Sequence, residues 1–75
     1  MAYAYYYRNL NSGQSLSVTG FVKHVSVWAS GIIDINGGDQ ITAPSNPIDL
    51  YPENLKDPTI TAHTNGTQFI VEVDQ

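Results

Sequence analysis

The amino-acid sequence predicts an all-β fold, a small antiparallel β-sandwich or barrel. Polar and apolar residues alternate along several short stretches, as they do in strands that bury one face. Turn signals that contain glycine separate these stretches. No stretch keeps the spacing of an amphipathic helix for even three turns. Short strands joined by turns at regular spacing are typical of sandwiches and small barrels.

Six strands follow from this alternation. They are expected over residues 15–19, 21–29, 32–36, 40–43, 59–64 and 67–73. Asn36-Gly37-Gly38-Asp39 predicts a hairpin turn between the third and fourth strands, because both glycines accept a positive φ. Asn65-Gly66 predicts a type I′ hairpin turn between the last two strands.

Alternation also assigns the faces of the strands. The side chains expected on one face of the second strand are Phe21, Val25, Val27 and Ala29, with Lys23 interrupting the series. The opposite face is expected to carry Val22, His24, Ser26 and Trp28. In the last strand, Phe69, Val71 and Val73 share one face.

The remaining segments are an N-terminal arm and a proline-rich loop. Residues 1–14 are expected to form a tyrosine-rich arm, and residues 15–75 a single β-domain. All four prolines fall within residues 44–58, where each removes a backbone donor, so this segment is expected to be a stiff surface loop. A single helical turn can start at Pro52. The loop residues expected to reach the core are Ile48, Leu50, Tyr51 and Leu55.

Length and cysteine content predict association with other subunits. A chain of 75 residues forms one domain. A core of this size supplies about 3–5 kcal/mol at best, and small domains usually add disulfides, a metal or oligomerisation. Cysteine is absent, which excludes disulfides and thiolate metal sites. A homo-oligomer, or docking on a larger body, is therefore expected.

The charge balance argues against nucleic acid and membranes as partners. Three basic residues stand against seven acidic ones, a formal net charge of −4. Nucleic acids and anionic membranes both attract clustered Lys and Arg, which this chain lacks. The first residues lack the apolar stretch of a signal peptide, and no apolar run approaches the roughly 20 residues of a membrane span. The chain is therefore expected to be made in a cytoplasm.

No catalytic site, metal site or cofactor is predicted. His24 and His63 stand apart from any nucleophile motif such as G-x-S-x-G, so histidines at the surface or a subunit boundary are the preferred interpretation. Asp34, Asn36 and Asp39 are spaced partly like a calcium loop. The closing Glu of that motif is missing, and a hairpin turn explains all three residues.

Aromatic residues supply the candidate partner-binding site. Alternation along an extended arm places Tyr3, Tyr5 and Tyr7 on one side. Disordered tails are poor in aromatics, so a partner-bound arm is favoured over a free one. Trp28 has ordinary core packing as an equal alternative. The residues proposed to contact a partner are Tyr3, Tyr5, Tyr6, Tyr7, Arg8 and Trp28.

The N-terminal half of the chain resembles a known class of virion proteins. The residues that carry the resemblance run from Gly13-Gln14-Ser15-Leu16-Ser17-Val18-Thr19-Gly20-Phe21-Val22 through Val25-Ser26-Val27-Trp28 to Ile33-Asp34-Ile35-Asn36-Gly37-Gly38. They are similar to the short β-rich structural proteins of tailed bacteriophages, especially head decoration (cement) proteins. The resemblance implies a non-enzymatic structural protein, often a homotrimer, that binds the major capsid protein and stabilises the virion.

A ligand-binding β-module is the alternative function. Sugar sites pair an aromatic platform with carboxylates or amides. Trp28 or Tyr51 could provide the platform, and Asp34, Asn36 and Asp39 the polar groups. Binding to glycans would favour this alternative, whereas co-purification with intact particles would favour the structural role.

Overall fold

Two four-stranded antiparallel sheets pack face to face, as seen in a computed structural model that describes residues 3–28, 30–43 and 46–74. The strands are β1 (Tyr3–Leu10), β2 (Ser15–Ser17), β3 (Phe21–Trp28), β4 (Ile32–Ile35), β5 (Ile41–Thr42), β6 (Ile48–Leu50), β7 (Thr59–Ala62) and β8 (Thr67–Asp74). One sheet has the order β1-β8-β3-β6 and the other β2-β7-β4-β5. The predicted all-β sandwich is confirmed. The described residues contain no helix that is long and apolar enough to span a membrane.

The core lies between the sheets and is built from alternate strand positions. Its fully buried side chains include Val25, Val27, Ile33, Ile60, Phe69, Val71 and Val73. Successive side chains of a strand point to opposite faces. The residues on either side of each core residue therefore point to the outer surface of the sandwich. The face predicted for Phe69, Val71 and Val73 in the last strand is the core face.

The N-terminal tyrosines belong to the sheet, which differs from the separate arm predicted over residues 1–14. Tyr3–Leu10 pairs with β8 along its whole length, from Tyr3 opposite Asp74 to Leu10 opposite Thr67. Tyr6 and Leu10 alternate with the exposed tyrosines and pack against the core. Burial of these two side chains holds the segment on its own domain as an edge strand.

A β-bulge in β3 corrects the predicted faces of that strand. The register with β8 shifts between Val22 and His24. A bulge adds one residue to a strand and so reverses the alternation beyond it. Lys23 is that additional residue, so Val22 is buried with Val25, whereas Phe21 is 51% exposed. The prediction that Phe21 shares a face with Val25 and Val27 was wrong, and Ala29 lies outside the described residues.

The predicted hairpin at Asn65-Gly66 is also wrong. The strands on either side of it, β7 and β8, lie in different sheets, so the chain crosses the sandwich here. A type I′ turn needs a positive φ at both central residues. Gly66 has a φ of 74°, but Asn65 is not in the positive-φ region.

The hairpin predicted around Asn36 is present, with a different pair of central residues. Asn36 and Gly37 have φ values of 55° and 74°, and the Gly38 N–H donates to the Ile35 carbonyl at 3.0 Å. Asn tolerates the left-handed region better than other residues with a side chain. The turn therefore uses Asn36-Gly37 in place of Gly37-Gly38, and it joins β4 to β5.

The proline-rich segment contains a short strand that sequence patterning missed. Ile48–Leu50 pairs with β3, opposite Val27 and Val25. Ile48, Leu50 and Leu55 pack against the core as predicted. Tyr51 does not, because it follows β6 on the outward side and is exposed. The described residues from Pro52 to Lys56 form bends and a bridge to Phe21 in place of the predicted helical turn.

Gly20, at the entry to β3, is expected to tolerate no side chain. Its φ is 118°, and an added Cβ would lie 2.7 Å from Val73 Cγ1 and 2.8 Å from the Asp74 carbonyl oxygen. We expect Gly20→Ala to lower the free energy of unfolding by about 2 kcal/mol or more, from backbone strain and the clash together. Gly66→Ala is the matched control, because Gly66 also has a positive φ but no atom within 4 Å of the added Cβ. The free energy of unfolding of both variants is measured by urea denaturation. Equal decreases would show that the close approach of Gly20 to Val73 and Asp74 is unimportant.

Candidate functional site

The outer face of the β1-β8-β3-β6 sheet gathers most of the exposed rings of the described chain. Tyr residues from β1, three residues of β3, and the residue after β6 all project to this side. We call this surface the aromatic face and define its ring-bearing residues as Tyr3, Tyr5, Tyr7, Phe21, His24, Trp28 and Tyr51. The four tyrosines are between 50% and 71% exposed. Contiguous exposed apolar surface of this kind commonly marks a binding site.

Tyr7 and Trp28 form a stacked pair at one end of the aromatic face. Their ring centroids lie 5.9 Å apart with an interplanar angle of 30°, although β8 separates their strands. Beneath them, the Tyr7 hydroxyl donates to Gln68 Oε1 at 3.0 Å. The stacked pair is therefore held in place before any partner arrives, which reduces the entropy lost on binding.

A second row of polar contacts crosses the same face. The Tyr5 hydroxyl donates to Glu72 Oε2 at 3.4 Å, and Glu72 Oε1 lies 4.0 Å from His24 Nδ1. The other ring nitrogen, His24 Nε2, lies 2.8 Å from Asp49 Oδ1. The His24 ring also stacks on Tyr51, with centroids 4.8 Å apart. These contacts connect β1, β8, β3 and β6 in one line.

The aromatic face carries negative charge. The hydrogen bond from His24, helped by one from Ser26, holds the pKa of Asp49 below its usual value. Asp49 is therefore ionised at neutral pH, and Glu72 adds a second carboxylate to the row. A partner that docks here gains from placing Arg or Lys against these two groups.

The structure brings four of the predicted partner-binding residues together and separates two. Tyr3, Tyr5, Tyr7 and Trp28 lie on the aromatic face. Tyr6 lies on the opposite side of β1 and packs against the core. Arg8 shares that side, with its guanidinium carbon 5.9 Å from the Tyr6 ring centroid and Nη1 donating to the Tyr7 carbonyl at 2.8 Å.

Sequence reasoning missed the polar row of the aromatic face. The sequence predicts a surface or subunit-boundary position for His24 and a loop position for Asp49. It predicts Tyr51 as a residue that reaches the core or as a stacking platform for a sugar, and not as a partner of His24. Their place depends on the pairing of β6 with β3, which sets Ser26 opposite Asp49. Because proline argues against strand formation, the prolines around β6 led to the prediction of a loop in place of this strand.

The outer face of the other sheet is rich in hydroxyls. Ser15 Oγ and Thr61 Oγ1 lie 2.8 Å apart, and Ser17 Oγ and Thr59 Oγ1 lie 3.1 Å apart. These pairs link β2 to β7. This hydroxyl face provides matched control positions for experiments on the aromatic face.

Two of the three residues spaced partly like a calcium loop, Asp34 and Asn36, use their side-chain oxygens within the fold. Asp34 Oδ1 accepts the Gly37 N–H at 2.9 Å, its other oxygen is hydrogen-bonded to His63 Nε2, and Asn36 Oδ1 accepts the Thr59 N–H at 2.9 Å. These bonds fix the β4–β5 turn against β7. Within residues 3–28, 30–43 and 46–74, no group of three His, Cys, Asp or Glu residues could hold a metal ion.

The Asp34–His63 contact predicts a loss of stability in acid. The hydrogen bond from His63 lowers the pKa of Asp34 below its usual value, against the opposing effect of burial. The folded state therefore binds this proton less readily than the unfolded state. The resulting stabilisation is present above about pH 4 and is lost as the pH falls through the lowered pKa.

We expect Asp34→Asn to flatten the dependence of melting temperature on pH below about 4. Asp49→Asn is the control, because the pKa of Asp49 is also lowered but its side chain is 52% exposed, where such contacts stabilise less. Thermal melts from neutral pH to pH 2 compare the two. A steeper fall of the melting temperature in acid for Asp34→Asn than for the unsubstituted protein would contradict the role assigned to Asp34.

Comparison of the chain with protein-family models, curated proteins and solved structures found no match.

Proposed function

We propose that the chain is a non-enzymatic binding domain that attaches to a larger protein assembly through its aromatic face. The observation that carries the proposal is the Tyr7–Trp28 stack, flanked by further exposed tyrosines on one side of the sandwich. Trp and Tyr are the residues that most often dominate the energetics of protein interfaces. Tyrosine also keeps a hydrogen-bonding hydroxyl at a wet surface.

The form of the aromatic face supports a protein as its ligand. Exposed aromatic anchors with charged groups beside them are common in protein interfaces. Here the Tyr7–Trp28 pair supplies the anchor, and Glu72 and Asp49 supply charges further along the same face. The complementary surface would present apolar side chains beside Arg or Lys.

The setting that we propose for this interaction is a viral capsid. The resemblance to head decoration proteins implies the major capsid protein as the partner and the virion as the place of assembly. Three features of the sequence support association with neighbouring subunits. They are the small core, the absence of cysteine and the low content of charged residues, 13% of the chain.

A glycan-binding role is the second candidate, and one observation favours it. Stacked rings on this face lie beside polar side chains. The Tyr7 hydroxyl is hydrogen-bonded to the amide of Gln68, and the His24 ring is close to the carboxylate of Asp49. The polar groups that the sequence predicts for this role lie elsewhere, because Asp34, Asn36 and Asp39 belong to β4 and its connection to β5 in the other sheet. Gln68, Asp49 and Glu72 would take their place.

Two binding assays separate the candidates. Co-sedimentation with intact capsids of the phage that encodes the chain should show saturable binding, and a glycan array should show none above background. Tyr7→Ala should reduce the bound fraction, and Thr61→Ala on the hydroxyl face should not. Saturable glycan binding lost in Tyr7→Ala, without capsid binding, would overturn the structural role in favour of the sugar-binding one.

A further inference from the structure

The outer edge of β1 differs from the other three sheet edges of the sandwich. β1 has eight residues, whereas the strands at the other edges, β2, β5 and β6, have three, two and three. An edge strand presents unpaired N–H and C=O groups that can pair with another strand. Very short edge strands limit such pairing, so β1 is the edge of this molecule best able to accept a strand.

Common devices that block an edge strand are missing from β1. Tyr3–Leu10 contains no proline, lysine or carboxylate, and its pairing with β8 runs without a bulge. By contrast, β6 is bounded by Pro47 and Pro52. The one charged side chain of β1, Arg8, donates to the Tyr7 carbonyl and so covers a single acceptor.

That contact also indicates which backbone groups face outward. A carbonyl that accepts the Arg8 guanidinium is directed away from β8. In an antiparallel pair the N–H and C=O of one residue lie on the same side of the strand, and the side alternates along the chain. Tyr3, Tyr5, Tyr7 and Asn9 therefore direct their N–H and C=O groups to the free edge.

Charge allows two copies to approach along β1. The net charge of −4 comes from acidic residues that all lie at or beyond Asp34, and β1 carries only Arg8. If two β1 strands pair, the nearest carboxylates, on the two β8 strands, are three strand spacings or about 14 Å apart. This distance exceeds the Debye length of about 8 Å at physiological salt, so their repulsion is largely screened.

We propose that β1 pairs antiparallel with β1 of a second copy of this chain, around a two-fold axis at Tyr6. This register sets Tyr5 opposite Tyr7 of the second copy and Tyr3 opposite Asn9. Arg8 releases the Tyr7 carbonyl, which then accepts the Tyr5 N–H of the second copy. All outward N–H and C=O groups of these residues are then paired, and aromatic residues meet across the strands, which stabilises antiparallel pairs. The segment is complementary to itself, as a two-fold interface requires, which favours a second copy over a foreign strand.

The product is a dimer with one continuous eight-stranded sheet, made from two four-stranded ones. It replaces the trimer that the resemblance implies. The two aromatic faces would adjoin on the same side and remain open. The dimer therefore does not depend on the proposed function, and either can fail alone.

Sedimentation velocity over a range of concentrations tests the dimer with the full chain. We expect a reversible monomer–dimer equilibrium at micromolar concentrations. A monomer at every concentration, or a trimer, would overturn the proposal. Hydrogen exchange at low and high concentration then locates the contact. The amides of Tyr5 and Tyr7 should gain protection in the dimer, and increased protection confined to β2, β5 or β6 would also overturn it.

Two variants at one position separate backbone pairing from side-chain contact. Tyr5→Pro removes an outward N–H that β8 does not use, and edge strands tolerate proline at such positions. It should weaken dimerisation at least about tenfold, since the two-fold axis removes two hydrogen bonds. Tyr5→Ala keeps the N–H and should still dimerise. Equal dimerisation of both folded variants would contradict strand pairing, and the exchange experiment decides the matter if Tyr5→Pro does not fold.

Discussion

Phe69→Ala is expected to leave most of the isolated monomer unfolded. The Phe69 side chain is 0% exposed in β8, where its backbone lies between Arg8 of β1 and Val27 of β3. Truncation of a buried phenylalanine to alanine costs about 3–5 kcal/mol, through lost burial and the cavity left behind. A domain of this size holds roughly the same amount in total. Circular dichroism of the variant at low protein concentration should show the loss of the folded signal.

Phe21→Ala is the matched control for this experiment. Phe21 is 51% exposed and lies outside the core because of the bulge at Lys23. Its truncation should change the free energy of unfolding by less than about 1 kcal/mol. Equal destabilisation by the two substitutions would mean that the faces of β3 and β8 are assigned wrongly.

The double substitution of Tyr7 and Trp28 by alanine is expected to weaken attachment to the assembly at least about 30-fold. Aromatic residues that are hot spots of an interface each contribute about 2 kcal/mol or more, and 1.4 kcal/mol is a factor of ten. The two rings stack on each other, so their contributions are not expected to add. The affinity is measured by titrating the purified assembly with labelled protein.

The comparison protein for this titration carries Ser15→Ala and Ser17→Ala on the hydroxyl face. These substitutions remove two hydroxyl pairs, to Thr61 and Thr59, but leave the aromatic face unchanged. Both variants should melt close to the unsubstituted protein, since neither alters the core. If the serine variant loses as much affinity as the aromatic one, the interface includes the hydroxyl face and is not confined to the aromatic face.

Local patterning predicted the strands better than it predicted their partners. Alternation found β2, β3, β4, β7 and β8 near their observed positions, because burial of one face leaves a period of two in the sequence. The position of Asn65-Gly66 between two strands indicated a hairpin, yet the chain crosses to the other sheet there. Pairing between strands far apart in sequence, such as β1 with β8, leaves no signal in either strand alone.

The candidate site was predictable in part for the same reason. The alternating tyrosines of β1 indicated one aromatic side, and their exposure agrees with that prediction. The stack of Tyr7 on Trp28 needed the order β1-β8-β3, which sequence patterning did not provide. The bulge at Lys23 likewise determines that Phe21 is exposed. In the sequence, the bulge is indicated only by one lysine that interrupts an alternating run.

Site-specific photo-cross-linking tests most directly whether the aromatic face binds a protein. A benzophenone amino acid replaces Tyr51, which is 71% exposed and lies at the end of the face remote from β1. A second protein carries it at Ser17 on the hydroxyl face. After irradiation of the assembled particle, we expect the Tyr51 position to form an adduct with a different protein subunit and the Ser17 position to stay at background. An adduct from Ser17 with none from Tyr51 would contradict the assignment of the binding surface.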